Sequence, residues 1–410
     1  MIRLKTWGIL WLLLMSALGR PGTSFPAEEE PRLIEALMGA GKTVNINGRA
    51  WTSDLGAMVF HDQKVYVLTG DTMGLGIFSP NALATTTDLD ARGGLNLRWS
   101  TGLDGNPKMF FPRIEPDSTV PAGAVSLNGI LYVFLMDVIH WKDIPDPDMR
   151  ARSVLIKSTD NGQSFSQVWL GAEDDKFVNI SPVLGSHPSL PGRQVVYLFG
   201  SGKYRNSPVY LAYAETGDLE FPGRYLYFTG LQNGAPQWTL GQDGAQPVVR
   251  GVKVGELSVA WNDYFQKYLL GFFDFGGQPY GFYLRRAAQP WGPWPEGRLA
   301  FNGEEKPDWY QAGWGGPYGG YLLRELDRDG GRTVYFTLSL WTPYNIFLME
   351  IDVDRVFRKG GNRILLLHQR DNFRFGQRDY FRFYALRYGF LRKEAGLDAK
   401  GFNHVEPGRA

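Results

Sequence analysis

The chain contains no cysteine. That excludes a disulfide framework, a thiolate metal site and a lipidated cysteine, and leaves the compartment undecided. Histidine is scarce: His61, His140, His187, His368 and His404 stand singly, with no ligand spacing. A histidine-based metal centre is therefore not expected, while oxygen ligands for a structural calcium stay open. Neither sign of charge dominates, with 43 Lys and Arg against 42 Asp and Glu, so no strong overall field selects an acidic or basic partner. There is no Walker-type loop, no dinucleotide fingerprint and no Ser-His-Asp constellation, and no cofactor is expected.

What the chain has is glycine, proline and aromatic rings: 51 Gly, 25 Pro and 14% Phe, Trp and Tyr. This composition suits many short strands and turns, not a helical bundle. At the N-terminus, Arg3 and Lys5 precede the apolar run Trp7–Leu18 and the small residues Ala17-Leu18-Gly19. The run is too short to span a bilayer comfortably and reads as a signal peptide over residues 1–20, implying a secreted or periplasmic protein. Residues 21–42 read as a linker and a short helix, with Leu33, Ile34, Leu37 and Met38 at helical spacing. Residues 43–354 form the main domain, in which Thr43–Ile46 is expected to close the ring beside Ile346–Ile351. Residues 355–410 form a basic aromatic extension, in which Arg355 to Lys393 carries eleven Lys and Arg against two Asp, and nine Phe and Tyr. That extension is expected to pack on the main domain or to hold the chain near an anionic membrane or wall polymer; salt-sensitive sedimentation with anionic vesicles would mark the second. Nucleic acid is not expected as a partner of an exported chain.

Hairpins recur along the main domain. They open at Asp54, at Ala122 with an Asn128-Gly129 turn, near Ile180, at Glu256 and near Tyr318. Each is followed by further strand-like runs, and the openings lie roughly 55–75 residues apart. The expected fold is all-β, a five-bladed β-propeller; a pair of β-sandwiches is the alternative. The octapeptide Ser158 to Phe165, STDNGQSF, matches the Asp-box of propeller blades. Its Asp160 is expected to bond backbone amides within its turn, a structural task.

The hairpin Trp51 to Gly74 organises the site. With Asp62-Gln63 as the turn, strict antiparallel counting places Asp54 directly opposite Asp71, with Cβ atoms roughly 4.5–5.5 Å apart. Two carboxylates so placed repel, which raises the pKa of one, and paired carboxylates are the equipment of glycoside hydrolysis. The plainer reading is that each Asp caps a turn beside a glycine. The same counting sets Asp137 opposite Val120 and Glu256 opposite Asp274. The channel mouth is thus expected to gather Asp54, Asp71, Asp137, Glu256 and Asp274. Trp141, Lys203, Tyr204, Arg205, Trp341, Tyr344 and Asn345 are expected around them to bind substrate. Rings stack on sugar faces and polar groups fix hydroxyls, although packing between blades accounts for aromatic residues equally well.

Several stretches together resemble the bacterial domain-of-unknown-function family 4185, some members of which form glycoside hydrolase family 183, the endo-D-arabinanases. They are SDLG at Ser53–Gly56, GDTMG at Gly70–Gly74, PAGAVSLNGILYVFLM at Pro121–Met136, FGSGKYRNSPVYLAYA at Phe199–Ala214, GELSVAWNDYFQKYLL at Gly255–Leu270, GPW at Gly292–Trp294, YGGYLL at Tyr318–Leu323 and SLWTPYNIFLM at Ser339–Met349. The resemblance implies a five-bladed propeller and cleavage of arabinofuranosyl chains with retention. It places the catalytic aspartates on the SDLG and GDT stretches, here Asp54 and Asp71. The leading expectation is an exported retaining glycosidase with Asp71 as nucleophile and Asp54 as acid/base. Glu256 is expected to tune the acid or bind a hydroxyl; acting itself as the acid, it would imply inversion. The alternative is a non-catalytic carbohydrate-binding propeller on cell-wall polymer.

Overall fold

A computed structural model describes residues 31–358, except 116, 141–149, 174–175, 203–204 and 312–314. Trp141, Lys203 and Tyr204, the expected signal peptide and residues 359–410 lie outside the described residues. The described chain is all-β. Its only helical segments are a short α-helix, Val353–Arg358, and four brief 3-10 turns.

Apart from a small three-stranded sheet within the first hairpin region, the strands fall into five consecutive antiparallel groups. The first joins Leu55–His61, Lys64–Thr69, Ala82–Thr86 and Arg98–Trp99. The second joins Ser118–Leu127, Ile130–His140, Arg150–Ser158 and Ser166–Leu170. The third runs Asn179–Ser186, Gln194–Ser201, Ser207–Glu215, then an added hairpin, Leu226–Gln232 and Ala235–Leu240. The fourth, Val249–Asn262, Lys267–Asp274, Gly281–Ala287 and Arg298–Asn302, is continuous with the third through pairs such as Ser207 with Val254. The fifth joins Pro317–Leu322, Thr333–Leu340, Asn345–Asp352 and, from the start of the domain, Arg32–Ala36.

The first strand of each group packs on the first strand of the next, and the fifth returns to the first, closing a ring. Hydroxyls stitch this ring. Ser181 Oγ accepts from Val259 N at 2.9 Å, Ser258 Oγ accepts from Leu322 N at 3.0 Å, and Thr337 Oγ1 donates to Gly56 O at 2.8 Å. Apolar clusters fill the space between neighbouring groups. Local turn chemistry shapes the hairpins: Asp62 and Gln63 take φ of 47° and 59°, and Asn128 and Gly129 take 52° and 76°, the left-handed pair that a two-residue hairpin needs. The Asp-box turn forms as expected. Asp160 accepts from Ser164 Oγ at 2.5 Å, Ser158 Oγ at 2.7 Å and Ser164 N at 2.9 Å, and these bonds hold its carboxyl down to about 2.

The N-terminal segment corrects two expectations. Residues 31–38 are not a helix: Arg32–Ala36 is a strand, antiparallel to Asn345–Asp352, with Arg32 and Glu350 joined by two bonds of 3.0 Å. It, and not residues 43–46, closes the ring; Asn45 instead caps a tight turn, accepting from Asn47 N and Arg49 N. The helical spacing arose because this strand lies between two cores. Leu33 and Ala36 face one cluster, Ile34, Leu37 and Met38 the other, and an irregularity between Leu33 and Glu35 shifts the alternation. Burial of Leu37 and Met38 alone contributes roughly 3–6 kcal/mol. Deleting residues through Met38 should therefore lower the melting temperature by about 10 °C or abolish soluble expression. A truncation that melts like the full chain would contradict this closure.

Candidate active site

Bulges, more than turns, aim the side chains at one end of the ring. Four of the five hairpins shift register within their first strand. The shifts fall between Leu55 and Ala57, at Ala122, between Val254 and Leu257, and between Tyr318 and Gly320. Each leaves a residue unpaired and bends the strand, a device that redirects side chains beside sites.

These shifts correct the pairings counted from the turns. Asp137 faces Thr119, not Val120. Asp274 faces Val254, and Glu256 lies within the bulge. In the first hairpin, Leu55 pairs with Thr69, and Gly70 N donates to Asp54 O at 3.0 Å. Asp54 therefore sits opposite Gly70, and Asp71 is its diagonal neighbour. Beyond them a small sheet of Trp51–Thr52, Thr72–Gly74 and Ile77–Ser79 begins, with Thr52 opposite Met73. The one-residue mismatch between the two ladders is absorbed at Ser53, whose Oγ bonds the carbonyls of Gly70 and Asp71 at 3.0 and 3.2 Å. Both aspartates thus lie at the break between two sheets, where the backbone is free of regular pairing.

Gly70 supplies the room. A Cβ there would collide with Asp54 Oδ1 and approach Val120 to 3.2 Å. Gly70→Ala should displace the Asp54 carboxyl and reduce any turnover at least tenfold, while the melting temperature changes little. Unchanged kinetics would show that the position of Asp54 is unimportant.

The two carboxyls have different surroundings. Asp54 keeps partial contact with solvent but is crowded by protein. Burial, then the Asp71 charge, raises its pKa from 3.8 to about 7, with a further push from Glu256. Hydroxyls of Tyr344 and Tyr318 oppose this rise, and Tyr318 donates to Asp54 Oδ2 at 3.0 Å. Asp71 is 6% exposed. Its Oδ2 accepts from Ser118 Oγ at 3.0 Å, and Arg113 lies 3.8 Å from Oδ1. Its carbonyl accepts from the Tyr344 hydroxyl at 3.0 Å. Two carboxyls in contrasting environments are the pattern that separates an acid from a carboxylate.

The third carboxylate, Glu256, is buried and paired with Arg205 at 3.2 Å. The Arg205 guanidinium lies over Phe275, Tyr318 and Trp341, at 4.7, 4.9 and 5.6 Å from the ring centres. Trp341 stacks on Tyr318 at 4.7 Å, and Tyr344 follows at 6.4 Å. The cation is thus held between the Glu256 carboxylate and the faces of three rings.

Three expected site residues serve the fold instead. Asp137 is fully buried and saturated by Thr119 Oγ1 at 2.8 Å, Glu115 N at 3.3 Å and Arg152 Nε at 3.0 Å, so it has no face for a ligand. Asp274 accepts from Lys253 N and Gly276 N, capping a turn. Asn345 donates to Met38 O at 3.0 Å and so pins the closing segment. Sequence reasoning missed Arg113, Ser118 and Tyr318 as neighbours of the aspartates, and Phe275 beneath the Arg205 guanidinium; the Tyr318 motif offered the one visible signal. Among the described residues no group of three His, Asp or Glu is arranged for a metal ion. A cavity of about 620 Å³ opens elsewhere, between the added hairpin and Trp291–Trp294, and no carboxylate lines it.

Among solved structures, the chain is similar to β-1,2-mannobiose phosphorylase from Listeria innocua, at 10% identity and a TM-score of 0.47, covering 80% of this chain and 98% of that one. It is also similar to an arabinanase from Bacillus subtilis, at 13% identity and 0.42, covering 73% and 94%. A third is the catalytic domain of a GH62 α-L-arabinofuranosidase from Coprinopsis cinerea, at 13% and 0.42, covering 78% and 96%. No curated protein matches the chain significantly. Residues 42–350 match the family described as Domain of unknown function (DUF4185), and the chain belongs to that family.

Proposed function

We propose that this chain is a five-bladed β-propeller glycoside hydrolase, exported from the cytoplasm, that cleaves arabinofuranosyl linkages of a D-arabinan-like wall polysaccharide with retention. The observation that carries the reading is the unequal carboxyl pair: Asp54 pushed up to about 7 beside Asp71, which has a hydroxyl donor and a guanidinium on its oxygens. A carboxylic acid with a pKa near neutrality holds its proton for a leaving group, and an adjacent carboxylate attacks the anomeric carbon. In the first step Asp54 gives its proton to the leaving oxygen as Asp71 forms a glycosyl ester. In the second, Asp54, now a carboxylate, takes a proton from water, and that water displaces Asp71. Burial and the Asp71 charge keep the Asp54 pKa high, and Glu256, held by Arg205, adds a smaller push. Trp341, half-buried and stacked on Tyr318, offers apolar surface beside the pair. The choice of polymer rests on the resemblance of the SDLG and GDTMG stretches to endo-D-arabinanases.

The test is incubation of the purified protein with D-arabinan, L-arabinan and galactan, followed by sizing of the products. Shortened D-arabinan chains are expected. Retention of a polymer without cleavage of any of the three would favour the non-catalytic binding reading.

A further inference from the structure

Tyr318 and Tyr321 stand three residues apart on one strand. In a regular strand that spacing points two side chains to opposite faces. Here the shift between Tyr318 and Gly320 inserts Gly319, with φ of 57°, and both rings join one cluster with Leu55 and Val120. Tyr318 gives its hydroxyl to Asp54. Tyr321 is 2% exposed, and its hydroxyl has no hydrogen-bond partner among the described residues. Burial, then the charges of Glu256 and Asp54, push its phenol well above the usual range, which places it in the field of both carboxylates. A buried hydroxyl without a partner lowers stability, and phenylalanine would fill nearly the same volume without that cost. A buried polar group without a partner needs an explanation, and beside reactive groups contact with a ligand is one.

We propose that Tyr321 is a substrate-positioning residue, its hydroxyl donating a hydrogen bond to a sugar oxygen held beside Asp54 and Glu256. The inference rests on the glycosidase reading and deepens it, since it names a polar contact to the sugar that undergoes cleavage. Because the donor has no other described partner, removing it should trade binding against stability.

The experiment is Tyr321→Phe in the full chain. The melting temperature should equal or exceed that of the unsubstituted protein. On D-arabinan, kcat/KM should fall about 10- to 100-fold, while the alkaline limb of the pH profile stays in place. Binding of D-arabinan fragments, measured by calorimetry with Asp54→Asn present in both proteins, should weaken about tenfold. A melting temperature several degrees lower would reveal a structural partner for the hydroxyl and overturn the proposal. Unchanged binding and unchanged kcat/KM would overturn it as well. If D-arabinan fragments bind but are never cleaved, the catalytic reading fails alone and the binding comparison still decides the role of Tyr321. If none of the three polymers binds, both fail.

Discussion

Asp54→Asn should lower kcat by at least about 10²–10⁴-fold and raise the melting temperature at pH 8. The first effect follows from removing the proposed proton donor. The second follows from linkage. The folded pKa of Asp54 is raised from 3.8 to about 7, so between those values the folded state binds more protons than the unfolded one. Stability attached to this group is full below about pH 4 and falls as pH rises to about 7. The loss is at most about 4 kcal/mol, and less because partial solvent contact screens the charge. An asparagine carries no charge to bury and still accepts from Tyr318. The variant should therefore melt several degrees higher than the unsubstituted protein at pH 8 and almost level with it near pH 4. Thermal melts at the two pH values check this. A difference in melting temperature between the variant and the unsubstituted protein that is the same at both pH values, or a variant that retains turnover on a confirmed substrate, would remove Asp54 from the role of acid.

Asp71→Gly should have no measurable hydrolysis, and azide should restore part of it. Glycine removes the nucleophile and leaves space for a small anion beside Arg113 and the Ser118 hydroxyl, which contact the carboxylate in the intact protein. Azide attacking from that side gives a glycosyl azide of inverted configuration, readable by proton NMR. Release of an inverted azide by an Asp54 variant in place of the Asp71 variant would exchange the roles of the two residues. Rescue of neither would argue against a covalent intermediate.

The hairpins and their turns were legible in the sequence because turn chemistry is local: Asp62-Gln63 and Asn128-Gly129 carry their conformational preference with them. The register near the site was not legible. Gly56 takes φ of 89° with Ile346 and Thr337 packed against it, and those residues arrive nearly three hundred positions later on the fifth strand group. Counting from the turn therefore made Asp54 and Asp71 direct partners when they are diagonal ones. Asp137 and Asp274 looked equivalent to Asp54 because burial and pairing do not show in residue type: Arg152 neutralises the first, and two backbone amides hold the second. Glu256 and Arg205 were each singled out, yet their pairing across 51 positions and the three rings around the cation emerge only through space. The N-terminal strand was misread because apolar residues on both faces of a bulged strand mimic a helical stripe.

The most direct test of the acid assignment needs no substrate: titration of the Asp54 side-chain carboxyl by carbon NMR, assigned by its absence in Asp54→Asn. Its midpoint should lie near pH 7 in the free protein. It should move toward the ordinary carboxyl range in Asp71→Asn, where the second-largest cause of the shift is gone. A midpoint near 4 in the unsubstituted protein, unaffected by Asp71→Asn, would contradict the coupled acid and carboxylate on which the proposed chemistry depends.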